Sequence, residues 1–84
     1  MKITFTEDGW DDYTHWTMTD RRMVKRINEL IRDITRDPYD GVGKPERLKH
    51  LADNAWSRRI NQEHRLIYVI IGDTVVVQQA RFHY

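Results

Sequence analysis

Several side chains of this 84-residue chain have the types that cleavage of RNA by its own 2′-hydroxyl group would require. Such a reaction needs a base for the hydroxyl proton, an acid for the leaving 5′-oxygen and cations for the negatively charged phosphorane. Glu46 is the candidate base, and His83 is the candidate acid because an imidazole titrates near neutral pH. The full candidate set is Glu46, Lys49, Arg59, Arg65, His83 and Tyr84.

Arginine and aromatic side chains would bind the substrate around this acid–base pair. Arg59 and Arg65 are candidates for the phosphate, because a guanidinium group binds oxyanions in a bidentate manner. Tyr84 could stack on an unpaired base, as aromatic rings do in proteins that bind single-stranded RNA. Arg81 shares a predicted strand face with His83, and it would either hold the phosphate or support the histidine.

Plainer interpretations of the same residues stay open at this point. Glu46 has the character of a solvated loop carboxylate, Arg59 and Arg65 that of charges at a strand edge, and His83 that of a fraying chain end. The histidines lack the spacing typical of metal ligands, so the sequence predicts no metal site and no cofactor. The segment 39–45 contains two glycines but lacks the GxxxxGK[ST] spacing, which excludes a P-loop.

Hydrophobic periodicity and turn signals predict the elements that would position these residues. Two runs rich in β-branched residues, 66–71 and 75–77, are separated by Gly72 and Asp73, which predicts a β-hairpin. The helices should begin after capping signals, and Thr6 is the candidate cap of the first. The predicted elements are a strand at Lys2–Phe5, helices at Glu7–Met18 and Asp20–Arg36, a single short turn at Glu46–Leu51, and strands at Ala55–Asn61, from near Glu63, and at Thr74–His83.

This order, β-α-α-β-β-β, predicts an α+β fold in which two helices cover one face of a mostly antiparallel sheet. An aromatic stripe of Trp10, Tyr13 and Trp16 should pack on the sheet from the first helix. The buried stripe of the second helix should consist of Met23, Ile27, Leu30, Ile31 and Ile34. The cationic residues off that stripe are interpreted as a solvated face, with an RNA-facing or ribosome-facing patch as the alternative.

The other face of the sheet should be partly open and cationic. The side chains expected on the exposed surface of the strands are Arg58, Arg59, Arg65, Arg81, His64 and His83. A basic surface that carries histidines on a rigid sheet indicates a phosphate-rich partner. The net charge of +1 conceals this asymmetry, because residues 1–20 carry one lysine against five acidic residues, whereas residues 44–84 carry seven Lys and Arg against four acidic residues.

Size and composition narrow the class of protein. A chain of 84 residues is expected to form a single domain, residues 1–84. It contains no cysteine, which excludes disulfides and thiolate metal sites. No apolar run approaches the ~18 residues of a membrane span, and the first residues lack the apolar core of a secretory signal. A cytoplasmic protein that does not bind membranes is therefore expected.

A set of short motifs extends over nearly the whole chain, and the combination is specific although each motif alone is weak. They are W-D-D-Y at 10–13, T-D at 19–20, I-N-E-L-I at 27–31, G-K-P-E at 43–46, L-K-H at 48–50, W-S-R-R-I at 56–60, E-H-R-L at 63–66 and H-Y at 83–84. In these motifs the chain closely resembles the YoeB toxins, mRNA interferases of the RelE/ParE toxin superfamily. One departure is Phe82, where the family pattern has a tyrosine, so a ring is retained and a hydroxyl group is lost.

The resemblance implies a microbial-RNase-like α+β fold and the toxin of a type II toxin–antitoxin pair. Such toxins enter the ribosomal A site and cleave mRNA there. The implied partners are the ribosome, mRNA, a cognate antitoxin of the YefM type and a second copy of the chain, with operator DNA bound only through the antitoxin complex. By resemblance, Glu46 is the general base, His83 the general acid and Arg65 the transition-state stabiliser. Lys49 and Arg59 would bind phosphate and Tyr84 would stack on a base.

Two alternatives belong to other functional classes. ParE-like relatives share the fold but inhibit DNA gyrase without cleaving nucleic acid, and such an inhibitor has no use for an acid–base pair of the kind that Glu46 and His83 could form. A nucleic-acid-binding repressor module is the other alternative, although the antitoxin is the more natural repressor of such a gene pair. A metal-independent endoribonuclease that inhibits translation is therefore the function predicted from the sequence.

Overall fold

The computed structural model describes residues 1–82 and confirms the predicted α+β class. Its elements are β1 (Lys2–Phe5), α1 (Glu7–Thr19), α2 (Arg21–Arg36), β2 (Glu46–Arg47), β3 (Ala55–Arg59), β4 (Arg65–Ile71) and β5 (Thr74–Gln79). The short strand β2 occupies the first two residues of the turn predicted at Glu46–Leu51, because its backbone pairs with β3, and the turn itself covers only residues 49–51. The last strand ends at Gln79, well before the predicted end at His83.

The five strands form one sheet in the order β1-β5-β4-β3-β2. The pairs β2–β3, β3–β4 and β4–β5 are antiparallel, which confirms the mostly antiparallel sheet, while β1 pairs with β5 in parallel. Because β1 and β2 lie at opposite edges, the two helices between them carry the chain across one face. The open face, as we call the opposite face, is thereby left without a helix.

The main core lies between the helices and the sheet. The predicted apolar stripe of α2 is buried at all five positions. In α1, Trp16 is buried and Tyr13 is partly buried, but Trp10 is 52% exposed, so the aromatic stripe packs on the sheet only in part. A Cβ atom at Gly9 would lie 2.2 Å from the Val77 carbonyl oxygen, so the close approach of α1 to β5 requires glycine there.

Both helices begin at side-chain caps. The Thr6 hydroxyl accepts a hydrogen bond from the Gly9 N–H at 3.1 Å, as the sequence predicted. Asp20, predicted as the first residue of the second helix, instead caps it by accepting from the Arg22 N–H at 3.0 Å. Each cap satisfies a backbone donor that the helix itself leaves unpaired.

Arg58 is completely buried, which corrects its predicted place on the exposed cationic surface. Its Nη1 donates to the Asp33 carboxylate at 2.6 Å and its Nε donates to the Tyr68 hydroxyl at 3.1 Å. Further hydrogen bonds from Nη1 and Nη2 reach the carbonyl oxygens of Asp37, Asp40 and Val42. Alternation along β3 places Arg58 on the helical face with Trp56, and the ion pair with Asp33 offsets the cost of burying a charge there.

The Asp33 carboxylate is held in its ionised form by several donors. The hydrogen bond from Arg36 and then that from the Val42 N–H lower the pKa of Asp33 from 3.8 to about 2, with a further contribution from Arg58. The partial burial of the carboxylate opposes this change. Asp33 therefore stays charged well into the acid range.

Folding stability is expected to decrease in acid through Asp33. The pKa of Asp33 is lower in the native state than in the unfolded chain, so the ionised carboxylate stabilises the fold. This stabilisation is complete above pH 3.8 and is lost as the pH falls toward about 2. Urea unfolding at a series of pH values should show that Asp33→Asn flattens the pH dependence within this window. The exposed control Asp53→Asn should keep the wild-type dependence. Identical pH profiles for wild type and Asp33→Asn would contradict the assignment.

Candidate functional site

Two predicted phosphate-binding residues lie side by side on the open face. Arg59 on β3 is directly opposite Arg65 on β4 in the antiparallel register. Residues so paired have Cβ atoms about 4.5–5.5 Å apart, and like charges in this relation are destabilising. No carboxylate forms an ion pair with either residue within residues 1–82. The pair therefore has the electrostatic character of an anion site.

The guanidinium group of Arg65 is held in place from one side. Its Nη1 donates to the carbonyl oxygens of Asn61 at 2.9 Å, Gln62 at 3.1 Å and His64 at 3.3 Å. Within the described part of the chain, no acceptor is bound to its Nε or Nη2. Arg65 is thus oriented by the β3–β4 turn while the three N–H donors of its Nε and Nη2 are left for a ligand, which suits binding of an oxyanion.

Glu46 lies on the same face as these arginines. It pairs with Ser57 across β2 and β3, and Ser57 pairs with Ile67, so the three side chains share the open face. Arg59 is two residues beyond Ser57, which makes Glu46 and Arg59 diagonal neighbours about 7–8 Å apart. Glu46 is exposed at the sheet edge. The structure therefore brings a carboxylate and two guanidinium groups together on one rigid surface.

The floor of this surface is a small apolar cluster. Ile67 and Val69 of β4 pack with Ala55 of β3 and with Leu48, which follows β2. Leu48 is 1% exposed and anchors the turn that carries the exposed Lys49. Lys49 is therefore attached next to the edge strand of Glu46, although among residues 1–82 no ion pair joins it to that carboxylate.

The chain after β5 is fixed by hydrogen bonds to side chains and backbone. The Ala80 N–H donates to Asp12 Oδ2 at 3.0 Å, and the Ala80 carbonyl accepts from Trp16 Nε1 at 2.8 Å. The Phe82 carbonyl accepts from the Arg65 N–H at 3.0 Å. The described chain therefore ends beside Arg65. The predicted general acid His83 and the predicted stacking residue Tyr84 lie outside the described residues.

Arg81 does not lie on a strand face, because β5 ends at Gln79. It borders a groove of about 470 Å³ together with Asp8, Asp11 and Asp12 of α1. Its guanidinium carbon lies 4.6 Å from the centre of the Phe82 ring. This acidic environment distinguishes Arg81 from the Arg59–Arg65 pair.

His64 is a residue whose place the sequence interpretation missed. Predicted on the exposed cationic surface, it is instead 7% exposed and packs edge-on against Trp16, with ring centroids 4.8 Å apart. Its Nδ1 accepts a hydrogen bond from the Phe82 N–H at 2.7 Å. Alternation with Leu66 and Tyr68 already indicated the helical side of the sheet, but its partner 18 positions away left no sequence signal.

No helix within residues 1–82 combines the length and the apolar character that a membrane crossing requires.

A family model described as YoeB-like toxin of bacterial type II toxin–antitoxin system matches residues 5–84. A curated relative, Toxin YoeB of Streptomyces coelicolor, is 57% identical over 84 residues, which cover all of both chains. The gyrase-inhibitor alternative is not favoured by these matches.

Three solved structures are similar over all or nearly all of their length. A YoeB/ParE toxin from Agrobacterium tumefaciens is 50% identical with a TM-score of 0.96, covering all of both chains. A YoeB dimer from Staphylococcus aureus has 40% identity and a TM-score of 0.93, and a YoeB–YefM complex from that organism has 39% identity and a TM-score of 0.90. Each of these two covers 100% of this chain and 98% of the other.

The sequence match and the fold point to the same family, whose members inhibit translation as mRNA endoribonucleases. Glu46, Arg59 and Arg65 give the open face a carboxylate and two guanidinium groups, which are side-chain types suited to RNA cleavage. This chain therefore belongs to the YoeB-like toxins of bacterial type II toxin–antitoxin systems.

Proposed function

We propose that the open face cleaves mRNA in the ribosomal A site through attack by the 2′-hydroxyl group of the substrate. The observation that carries this proposal is the Arg59–Arg65 pair, which has no carboxylate partner in the described chain, with Arg59 diagonal to Glu46. Two fixed cations beside a carboxylate suit a phosphate whose negative charge grows in the transition state. The hydrogen-bonded register of the sheet holds them in place.

In this mechanism Glu46 removes the proton of the 2′-hydroxyl, and the resulting oxygen attacks the adjacent phosphorus. The 5′-oxygen then leaves with a proton from His83, so the products are a 2′,3′-cyclic phosphate and a 5′-hydroxyl. Arg65 stabilises the phosphorane, and Arg59 and Lys49 bind the phosphate. Because side chains carry out both proton transfers, we propose a metal-independent reaction.

Two further residues complete the proposed site. Tyr84 stacks on a base of the unpaired mRNA, a contact that aromatic rings make with any base. Of the two predicted roles of Arg81, support of His83 is favoured over phosphate binding, because Arg81 contacts Phe82, the residue before His83, and borders a groove with three carboxylates. Residues 1–84 would form one toxin domain that acts in the cytoplasm, where mRNA is translated.

The proposed partners follow from charge and from the relatives. Because a related YoeB forms a complex with YefM, we propose a YefM-type antitoxin whose acidic or amphipathic segment folds over the cationic open face. Operator DNA would be bound only through that complex. A related YoeB forms a dimer, and we propose that this chain also pairs with a second copy of itself.

A modified mRNA on programmed ribosomes tests the mechanism. Replacing the 2′-hydroxyl at the cleaved nucleotide by hydrogen is expected to abolish cleavage there, because the nucleophile is gone. Primer extension locates the cut, and the same replacement one nucleotide downstream serves as the control. Undiminished cleavage of the 2′-deoxy substrate would contradict 2′-hydroxyl attack and favour hydrolysis by water. Absence of cleavage on unmodified mRNA would overturn the nuclease proposal itself.

A further inference from the structure

The segment that leads into His83 depends on an unusual backbone residue. Phe82 has φ +63°, in the left-handed region that side-chain-bearing residues rarely adopt. Such a conformation persists only where the surroundings hold it, and it is typical of functional sites. Two hydrogen bonds hold Phe82: its N–H donates to His64 Nδ1 at 2.7 Å, and its carbonyl accepts from the Arg65 N–H at 3.0 Å.

The imidazole of His64 is built into the fold as an acceptor. The backbone N–H of His64 donates to Asn61 Oδ1 at 2.7 Å, and the His64 carbonyl accepts from the Ile60 N–H at 3.0 Å. The ring packs between Trp16, with centroids 4.8 Å apart, and Phe82, with centroids 5.4 Å apart. An Nδ1 atom that accepts a hydrogen bond carries no proton, so the ring proton lies on Nε2, which is 3.5 Å from Glu63 Oε1.

We propose that His64 is a positioning residue for the cleavage reaction. Its Nδ1 holds the N–H of Phe82, while the Arg65 N–H holds the carbonyl of Phe82, and that carbonyl carbon is bonded to the nitrogen of His83. The His64 contact therefore fixes the backbone of the residue from which the chain continues to the proposed general acid. This inference rests on the proposed function, in which His83 donates a proton and Arg65 stabilises the phosphorane.

Two substitutions separate positioning from packing. His64→Leu keeps an apolar side chain but removes the acceptor, and it should lower kcat about 10- to 100-fold with little change in KM, since misplacement by about 1 Å can cost that much. His64→Asn places Oδ1 where Nδ1 was, so kcat should remain within about threefold of wild type. A purely structural role of the ring would instead lower the thermal midpoint in both variants without separating their kcat values.

Hydrogen exchange tests the contact without reference to activity. The Phe82 amide should exchange slowly in wild type and in His64→Asn but rapidly in His64→Leu. The Ala80 amide, which is held by Asp12, should be unchanged in all three proteins and serves as the internal control. Nitrogen-15 spectra of the wild-type ring should show the proton on Nε2.

The outcomes for His64 and for the nuclease proposal are distinguishable. If the wild-type protein cleaves mRNA, a folded His64→Leu variant with wild-type kcat and a protected Phe82 amide overturns the positioning role. A ring proton on Nδ1 overturns it as well, even if neither variant folds. If the wild-type protein does not cleave mRNA on ribosomes, the proposed function fails, whereas the exchange and tautomer results still decide whether His64 holds Phe82.

Discussion

Glu46→Gln and His83→Gln are each expected to reduce the single-turnover rate of mRNA cleavage on programmed ribosomes by about 10²-fold or more. Glutamine keeps the approximate size of each side chain but cannot take or give the proton. Glu46 is exposed at the edge strand β2, so its substitution should leave the fold intact. Circular dichroism and the thermal midpoint should therefore match wild type while cleavage is nearly lost.

The pH dependence of the rate distinguishes the two roles. A base that must be ionised produces the acidic limb of the profile, and an acid that must be protonated produces the alkaline limb. Glu46→Gln should lose the acidic limb and His83→Gln the alkaline limb. The control Glu29→Gln changes an exposed carboxylate on α2 and should retain the wild-type rate and both limbs. Wild-type rates for both site variants would remove this acid–base pair from the mechanism.

The sequence predicted those elements whose signals are local. The five apolar residues of α2 recur at helical spacing, and all five are buried. The Gly72–Asp73 turn joins β4 to β5, and Gly72 there has φ +56°. A Cβ atom added to Gly72 would meet nothing within 4 Å, so the turn requires glycine only for its backbone conformation. Alternation along β3 puts Trp56 and Arg58 on one face and Arg59 on the other, as in the structure, although both arginines were predicted on the exposed surface.

Non-local pairing is what the sequence could not provide. The parallel pairing of β1 with β5 joins residues from near the two ends of the sequence, such as Lys2 and Thr74, and no local sequence pattern predicts it. The two-residue strand β2 is too short for any periodicity, yet it decides that Glu46 shares a face with Arg59. The family resemblance proposed these residues as a site, but only the register of β2, β3 and β4 explains how they lie together.

The cationic residues show a second limit of prediction from the sequence. From composition alone, Arg58, Arg59 and Arg65 are expected to form one basic surface. In the structure Arg58 lies on the helical face of the sheet, and Arg59 and Arg65 lie on the open face. Alternation with Trp56 and Ile60 was already a signal that Arg58 points toward the helices, but a charge is normally expected outside. The deciding partner, Asp33, lies on α2, 25 positions earlier in the chain. Charge patterns therefore locate cations along the chain but not across a sheet.

Arg58→Met is expected to lower the free energy of unfolding by about 3–5 kcal/mol, the usual cost of removing one partner of a buried ion pair. Methionine fills a similar volume but leaves the carbonyls of the 37–42 segment without their guanidinium donor and removes one of the donors of the Asp33 carboxylate. Domains are stable by only about 5–15 kcal/mol, so this loss could unfold a large fraction of the protein at 37 °C. Urea denaturation measures it.

The matched variants make the cause of this loss explicit. Arg58→Lys keeps the charge but lacks the planar fork, so it should reach Asp33 without replacing every carbonyl contact and should destabilise less than Arg58→Met. Arg22→Met removes a guanidinium group that is 93% exposed on α2, and its effect should stay within about 0.5 kcal/mol. Asp33→Asn combined with Arg58→Met should cost less than the sum of the single changes, because the contact between the two side chains is lost only once.

The same variants decide between a structural and a substrate-binding role for Arg58. The Arg58 network holds residues 37–42, and the neighbouring Arg59 N–H donates to the Gly43 carbonyl at 2.7 Å, just before the chain enters β2 at Glu46. If the network is structural, cleavage by Arg58→Lys should fall in proportion to the loss of folded protein and recover when low temperature restores the fold before assay. A substrate-binding Arg58 would give the opposite result, namely a fully stable Arg58→Met protein that no longer cleaves mRNA, and that result would refute the buried network as a determinant of stability.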